Sequence, residues 1–150
     1  MLIEHGEFDR DNRPPLNQLD DTIFRSCSFA NLEIEGSGLD GALIYCTLRD
    51  IDWYWGLFNT AIFLCTRFEN CTFRGASFMS CRLLECQFIG CHFALDNLGG
   101  PCTFEDCSVV ECTFDKCKLI LDSPKGRTVF ERTRWYGCTQ NDCIGFSGLF

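Results

Sequence analysis

Residues 61–95 read AIFLC TRFEN CTFRG ASFMS CRLLE CQFIG CHFAL, a run of five-residue units built on one pattern. The third residue of every unit is Phe or Leu, the first is Cys, Ala or Thr, and the other three vary and are largely polar. An α-helix repeats every 3.6 residues and a strand every two, so two inward positions in every five match neither. A fixed period of this kind is typical of a solenoid, in which each repeat stacks on its neighbours.

The pattern extends in both directions from this run. It begins at Thr22 and continues to Leu121 as 20 units, if ALIY (42–45) is a unit one residue short and DNLGG (96–100) is followed by a single inserted Pro101. All 20 third positions are apolar, which predicts that these side chains point inward. They are Phe24, Phe29, Ile34, Leu39, Ile44, Leu48, Trp53, Phe58, Phe63, Phe68, Phe73, Phe78, Leu83, Phe88, Phe93, Leu98, Phe104, Val109, Phe114 and Leu119.

These units resemble the pentapeptide-repeat family, in which a small residue is followed two positions later by Leu or Phe and then by two variable residues. The resemblance implies an all-β fold, a right-handed quadrilateral β-helix with four pentapeptides per coil and about six coils in this chain. It divides the chain into a non-repeat N-terminal cap segment (1–21), a β-helix (22–143) with a loop at 122–127, and a C-terminal cap (144–150). The apolar residues of this last segment are expected to cover the open edge of the final coil.

The chain has 13 cysteines, and all except Cys65 fall at the small first position of a unit or its continuation. A buried free Cys behaves as a small apolar residue, so it can stand where Ala stands in neighbouring units. The Cys-x4-Cys spacing lacks the CxxC pairs that zinc sites prefer, and no metal is predicted. Cys65 lies at an outward fifth position, and we expect it to be the first to react with a thiol reagent.

No catalytic constellation emerges from the sequence. The two histidines are His5, in the N-terminal segment, and His92, at an outward position beside the inward Cys91. The GxGxxG at residues 36–41 lies within two repeat units, without the strand and helix that a dinucleotide site requires. Asp96 falls at an inward first position, where we expect it to hydrogen-bond to the backbone of the turn at 99–101. The chain is therefore predicted to be no enzyme and to use no cofactor.

The charge is negative and unevenly distributed. The net charge is −8, and residues 1–52 contain 11 acidic and 4 basic residues, or −7 of that total. Direct nucleic-acid binding is disfavoured, because phosphate contacts need a basic surface. The N-terminus lacks the layout of a signal peptide, and no apolar run approaches the ~18 residues of a membrane helix. So many thiols suit a reducing compartment, and the expected location is the cytoplasm, away from membranes.

The outward positions, sorted by face, predict a surface for a protein partner. Large apolar side chains gather on one side of the rod, and the loop at 122–127 adds two cations. The predicted partner-binding residues are Leu43, Tyr45, Tyr54, Trp55, Leu57, Ile62, Leu64, Leu84, Lys125 and Arg127. The predicted acidic surface, which should adjoin the apolar patch and attract a basic partner, is Glu33, Glu35, Asp40, Asp50 and Asp52.

Several functions remain open on this evidence. Exposed apolar patches usually mark contact surfaces, but residues 1–21 folding back over the patch, or a homodimer, would also account for it. The leading hypothesis is an immunity-type inhibitor that neutralises a toxin or shields a nucleic-acid-acting enzyme. The family resemblance implies a rival, because some pentapeptide-repeat proteins mimic DNA and protect DNA gyrase from quinolones. A third hypothesis is a structural scaffold or homo-oligomer.

Overall fold

The computed structural model describes residues 1–14 and 21–150, and this part of the chain contains short strands and no helix. The strands are β1 (Leu2–Glu4), β2 (Glu7–Phe8), β3 (Ile23–Arg25), β4 (Ser28–Glu35), β5 (Ala42–Ile44), β6 (Thr47–Tyr54), β7 (Leu57–Asn59), β8 (Ile62–Leu64), β9 (Arg67–Glu69), β10 (Thr72–Arg74), β11 (Ser77–Met79), β12 (Arg82–Leu84), β13 (Gln87–Ile89), β14 (His92–Ala94), β15 (Thr103–Glu105), β16 (Ser108–Val110), β17 (Thr113–Asp115), β18 (Lys118–Leu119), β19 (Asp122–Ser123), β20 (Gly126–Arg127), β21 (Arg134–Tyr136) and β22 (Thr139–Asn141). Among residues 1–14 and 21–150, there is no helix long and apolar enough to cross a membrane.

The strands stack in parallel as the four faces of a right-handed β-helix, which confirms the predicted fold class. Face 1 is a sheet of seven strands, β1-β3-β5-β8-β12-β16-β21, so residues 1–14 and 21–150 make seven coils where about six were predicted. Face 2 contains β2, β9, β13, β17, β22 and the first halves of β4 and β6; face 3 contains their second halves with β10, β14 and β18. Face 4 contains β7, β11 and β15. Successive units occupy faces 1 to 4 in turn, so faces 1 and 3 lie on opposite sides.

In the interior, the aromatic rings of one coil stack on those of the next. The rings of Phe58, Phe63, Phe68, Phe73 and Phe78 follow the chain around the four faces, each 5.6–5.9 Å from the next. The fifth ring then lies flat on the first, with centroids 4.6 Å apart. At the corners the backbone adopts a left-handed turn, with φ near 50° even at non-glycine residues such as Tyr45 and Asn70. This turn occurs once in every five residues and thereby produces the period.

The cysteines occupy the predicted packing slot. All 13 are free; ten are buried, and Cys138 and Cys143 are half-buried beside the last coil. Each slot thiol donates to a carbonyl oxygen of the preceding coil, as Cys81 does to Phe58 O at 3.2 Å. Burial raises the pKa of Cys102 to about 11, so its thiol stays protonated at neutral pH. This hydrogen bond between the thiol and a carbonyl of the preceding coil explains why Cys occupies a slot in which Ala also fits.

The structure corrects the sequence register at two places. Leu43 is 3% exposed and aligns with Phe24 and Phe63, whereas Ile44 points outward. The short unit is therefore SGLD (37–40), and the placement of Leu43 outward and Ile44 inward is wrong. Leu98 is 67% exposed, because residues 96–101 form a six-residue insertion at the corner between faces 3 and 4. The pairing offset changes accordingly, from 20 residues between Ile62 and Arg82 to 26 between Arg82 and Ser108.

The two ends of the β-helix are closed differently. Leu2–Glu4 and Glu7–Phe8 pair with β3 and β4, so the description of residues 1–8 as non-repeat is wrong, while residues 15–20 lie outside the described part. Pro14 packs against the apolar interior at this end. At the other end, Phe146 is 3% exposed and lies 4.8 Å from the ring of Phe114. Phe146 therefore packs against the final coil of the interior.

Candidate functional site

Face 1 presents an apolar surface at the middle of the rod. One outward column runs through Ile44, Leu64, Leu84 and Val110, and each of these side chains is half-buried. The parallel column contains Ile23, which is 40% exposed, followed by Ala42 and Ile62. We call this set the apolar face: Ile23, Ala42, Ile44, Ile62, Leu64, Leu84 and Val110. It arises because outward positions one coil apart become neighbours on a sheet.

Four of the predicted partner-binding residues meet here. Ile62, Leu64 and Leu84 lie on the apolar face, and Tyr45 stands at the corner beside it with 61% of its surface exposed. Leu43 does not belong to the surface, since it is buried in the core, and Ile44 takes the outward place. Sequence reasoning missed Ile44 because the short unit was placed one unit too late.

Tyr54, Trp55 and Leu57 form a separate group. Tyr54 is on face 3, Trp55 is at the corner between faces 3 and 4, and Leu57 is on face 4 with 55% of its surface exposed. Of the three, only Leu57 is on a face that adjoins face 1, so these residues do not extend the apolar face as a single patch. The rings of Tyr54 and Trp55 meet edge to face, with centroids 4.5 Å apart.

The insertion at 96–101 holds this aromatic pair in place. The Trp55 indole N–H donates to Asp96 Oδ2 at 2.9 Å, and the backbone N–H of Asn97 donates to the Tyr54 hydroxyl. Asp96 Oδ1 accepts from Leu98 N at 2.8 Å and Gly100 N at 2.7 Å. The Gly100 N–H is the main cause that lowers the pKa of the Asp96 carboxyl. The predicted backbone bonding of Asp96 is confirmed, but its side chain is half-exposed at a corner and does not point inward.

The second insertion, 122–127, lies directly above the first at the same corner. Its two strands, β19 and β20, pair as an antiparallel hairpin, and Ser123 Oγ donates to Gly99 O at 2.6 Å. Lys125 and Arg127 are both exposed there. The structure thus places these two cations beside the first insertion and away from the apolar face.

The predicted acidic residues are exposed or half-exposed, but most lie opposite the apolar face. Glu33, Glu35 and Asp52 are on face 3, Asp50 is at the preceding corner, and Asp40 is on face 4. The expectation that this acidic surface adjoins the apolar patch is therefore wrong for the three residues on face 3. Asp52 is paired with Arg74, whose Nε lies 3.1 Å from Asp52 Oδ1.

An open cleft of about 440 Å³ lies between these acids and the aromatic pair. We call it the face 3 cleft. Its lining residues are Arg13, Glu33, Ile34, Glu35, Asp52, Tyr54, Trp55 and Asn97. Its walls therefore combine acidic, aromatic and amide groups.

The remaining reactive groups are the potential metal ligands and the half-exposed cysteine. Within residues 1–14 and 21–150, no group of His, Cys, Asp and Glu side chains could hold a metal ion. Cys65 is half-exposed, and its thiol donates to Glu85 Oε2 at 3.4 Å. Partial burial, together with the Glu85 carboxylate, raises the pKa of the Cys65 thiol. This cysteine is accessible yet disfavoured as a thiolate.

Comparison with known proteins supports the fold. Residues 66–93 match the family model described as Pentapeptide repeats, while no curated protein matches the sequence. A solved structure of QnrB1, a plasmid-mediated fluoroquinolone resistance protein, aligns over 95% of this chain and 69% of its own, with 14% identity and a TM-score of 0.52. The pentapeptide repeat protein Rfr23 of the cyanobacterium Cyanothece 51142 aligns over 96% of this chain and 87% of its own, with 9% identity and a TM-score of 0.42.

Proposed function

We propose that this protein, whose residues 66–93 match the family model described as Pentapeptide repeats, is a non-enzymatic inhibitor that binds a protein partner through the apolar face. The observation that carries this proposal is the row of outward Ile, Leu and Val side chains that continues through four coils of face 1. On a soluble rod such a row exposes apolar surface to water, and burial against a partner recovers about 25 cal/mol for each Å² removed.

The geometry of face 1 suits a broad protein contact. The face is a flat parallel sheet, and Tyr45 projects beside it as a large amphipathic side chain of the kind that dominates binding energy in interfaces. A stable complex needs about 800 Å² from each partner, which requires the face and its corners together. In the described residues the N-terminal segment supplies β1 and β2 to the first coil and does not fold over the apolar face.

An immunity-type role fits the charge of the whole molecule. The net charge of −8 would accelerate encounter with a basic partner, as expected of a toxin or an enzyme that acts on nucleic acid. The apolar face would then supply most of the affinity, since electrostatic attraction contributes more to association rate than to the strength of the final complex.

Protection of DNA gyrase by DNA mimicry is the rival function. QnrB1, named for fluoroquinolone resistance, has the same fold, although 14% identity extends the likeness to fold alone. A mimic of duplex DNA needs acids at regular intervals, whereas Arg67, Arg74 and Arg82 stand on faces 2, 3 and 1 of the middle coils. The charge distribution therefore favours the inhibitor.

The deciding experiment is affinity capture from the source cell with the products of neighbouring genes co-expressed. Wild type is compared with Leu64→Asp, which puts a charge on the apolar face, and with Leu57→Asp, a matched control on exposed face 4. We expect one partner to be retained by wild type and by Leu57→Asp, to be lost with Leu64→Asp, and to have its activity inhibited by the purified protein. Circular dichroism checks that both variants fold.

Other results would replace the proposal. Capture of gyrase would support DNA mimicry. A complex containing only copies of this chain would support a homo-oligomeric scaffold. Equal retention of the partner by Leu64→Asp would show that the apolar face is not the interface.

A further inference from the structure

The face 3 cleft is a concave site on the side of the rod opposite the apolar face. Its volume of about 440 Å³ is within the range of small-molecule pockets, about 300–1,000 Å³. The outer surface of a β-helix is built from flat sheets, so a cleft on it needs walls from outside the regular coils. Here the walls are Asn97, from the first insertion, and Arg13, from the N-terminal segment.

The insertion can form this wall because the coil below it has a glycine at the same corner. Gly75 has a φ of +57°, and a Cβ added there would lie 2.7 Å from Asp96 Oδ2. The missing side chain lets Asp96 pass over this coil and accept from the Trp55 indole. The Asn97 N–H fixes the Tyr54 hydroxyl in the same way. The two aromatic rings are thus held before any ligand arrives, which reduces the entropy lost on binding.

The carboxylates of the cleft determine the charge of its ligand. Glu33 is the direct neighbour of Asp52 across adjacent strands, and Glu35 is two residues further along the same face. Like charges placed opposite one another on a sheet are destabilising. Arg74 balances Asp52, but Glu33 and Glu35 have no ion pair within 4.0 Å in the described ranges. A cation in the cleft would relieve this repulsion.

From these features we infer that the face 3 cleft binds an organic cation, a guanidinium or alkylammonium group. Aromatic rings attract such cations when they lie within about 6 Å, and carboxylates bind them by charge-assisted hydrogen bonds. A bare metal ion does not fit, because it requires closely convergent ligands and no group in the described chain provides them. The ligand is either a free amine or guanidine, or the Arg or Lys side chain of a protein.

Arg13 modulates this site. Its side chain lines the cleft and supplies a positive charge at the rim. An incoming cation is repelled by this guanidinium, because the two like charges share one cleft. Removing the charge of Arg13 therefore strengthens ligand binding, whereas removing the charge of Glu33 or Glu35 weakens it.

The test is calorimetric titration of the full chain with n-butylguanidinium, which carries a single guanidinium charge, at low salt. We expect a Kd on the order of 1 mM, typical for a small ligand with one charged group. The double change Glu33→Gln and Glu35→Gln should weaken binding about tenfold, and Arg13→Ala should strengthen it about threefold, in line with measured pairs of exposed charges and cation–π contacts. The matched control is Asp50→Asn, which removes a nearby charge outside the cleft and should change Kd less than twofold.

A second comparison isolates the charge of the ligand. n-Butylurea replaces the guanidinium by a neutral urea of nearly the same shape and carries no charge, so it should not bind. A capped Gly-Arg-Gly peptide, which has the same single charge, identifies a protein side chain as the natural ligand if it binds at least as tightly as n-butylguanidinium, and weaker binding identifies a free cation. The inference is overturned if n-butylguanidinium does not bind at 10 mM, if n-butylurea binds equally, or if Asp50→Asn weakens binding as much as the cleft variants. None of these results depends on the apolar face, because Leu64→Asp should leave n-butylguanidinium binding unchanged.

Discussion

Replacing Phe88 by Ala removes one ring from the middle of the interior stack. Phe88 is 3% exposed and lies between two parallel rings, 4.6 Å from Phe68 and 4.9 Å from Phe114. A third ring, that of Phe93, lies 5.9 Å away in the same coil. The cavity would thus open between the fourth and sixth coils, with neighbours above and below that hydrogen bonds hold in register.

The expected loss in unfolding free energy follows from this environment. Phe→Ala changes in well-packed cores cost about 3–5 kcal/mol, and the cost is greatest where the surroundings cannot collapse. Stacked aromatic pairs contribute about 0.5–1.5 kcal/mol beyond the area they bury, and Phe88 loses two of them. We therefore expect a loss of about 4–5 kcal/mol. Phe88→Leu, which keeps most of the volume, should cost about 1–2 kcal/mol.

Phe8 provides the matched control. Its ring is half-buried in the first coil and stacks on one ring only, that of Phe29 at 5.1 Å. Phe8→Ala should cost about 2 kcal/mol, because less apolar area is removed from the core. The measurement is urea unfolding followed by circular dichroism, with the slope compared between variants to detect loss of cooperativity along the array.

The reasoning would be refuted if Phe88→Ala cost no more than Phe8→Ala. That result would mean that the coils relax around the cavity, or that the ring stack contributes little. A loss below about 2 kcal/mol for Phe88→Ala would lead to the same conclusion, since it lies under the range for buried aromatic residues.

Three further predictions concern the corners. Gly75→Ala should cost about 1 kcal/mol more than Gly36→Ala in thermal unfolding, since both have positive φ but a Cβ at Gly36 meets nothing within 4 Å; equal costs would contradict the close approach of Asp96. The pKa of Asp96 is lowered in the folded protein, so the stability that its carboxylate contributes should be complete above pH 3.8 and should be lost as the pH falls through the folded pKa. An acid transition in tryptophan fluorescence would report this loss, and it should be absent in Trp55→Phe. Cys65 should react with a thiol reagent before the buried cysteines and faster in Glu85→Gln, and a fast phase that survives Cys65→Ser would contradict this.

The β-helix could be predicted from the sequence because its cause is local. A left-handed turn at every fifth residue fixes which side chains of a unit point inward, so the apolar third position and the small first position together specify the cross-section. Of the 20 predicted inward third positions, all are buried except Ile44 and Leu98. The same reasoning assigned the cysteines to a packing slot.

The candidate sites depended on the alignment of residues from different coils, which no single unit encodes. Both ALIY and SGLD place an apolar residue near the centre of a short unit, and only the parallel pairing that aligns Leu43 with Phe24 and Phe63 decides that Leu43 is inside. Similarly, the sequence predicted a single inserted residue, Pro101, whereas the structure has a six-residue insertion at 96–101. This difference changes which residues of the later coils share a face.

The amino-acid sequence by itself therefore determined the repeat, the inward residues, the slot for the cysteines and the absence of a catalytic motif. The tertiary structure alone decided that the apolar side chains of face 1 form one surface, that Glu33, Glu35 and Asp52 lie on the opposite side, and that an insertion from the fifth coil closes a cleft over the third. The physical reason is that a five-residue unit sets the direction of each side chain, whereas the neighbours of that side chain are set by parallel pairing between residues 19 to 26 positions apart.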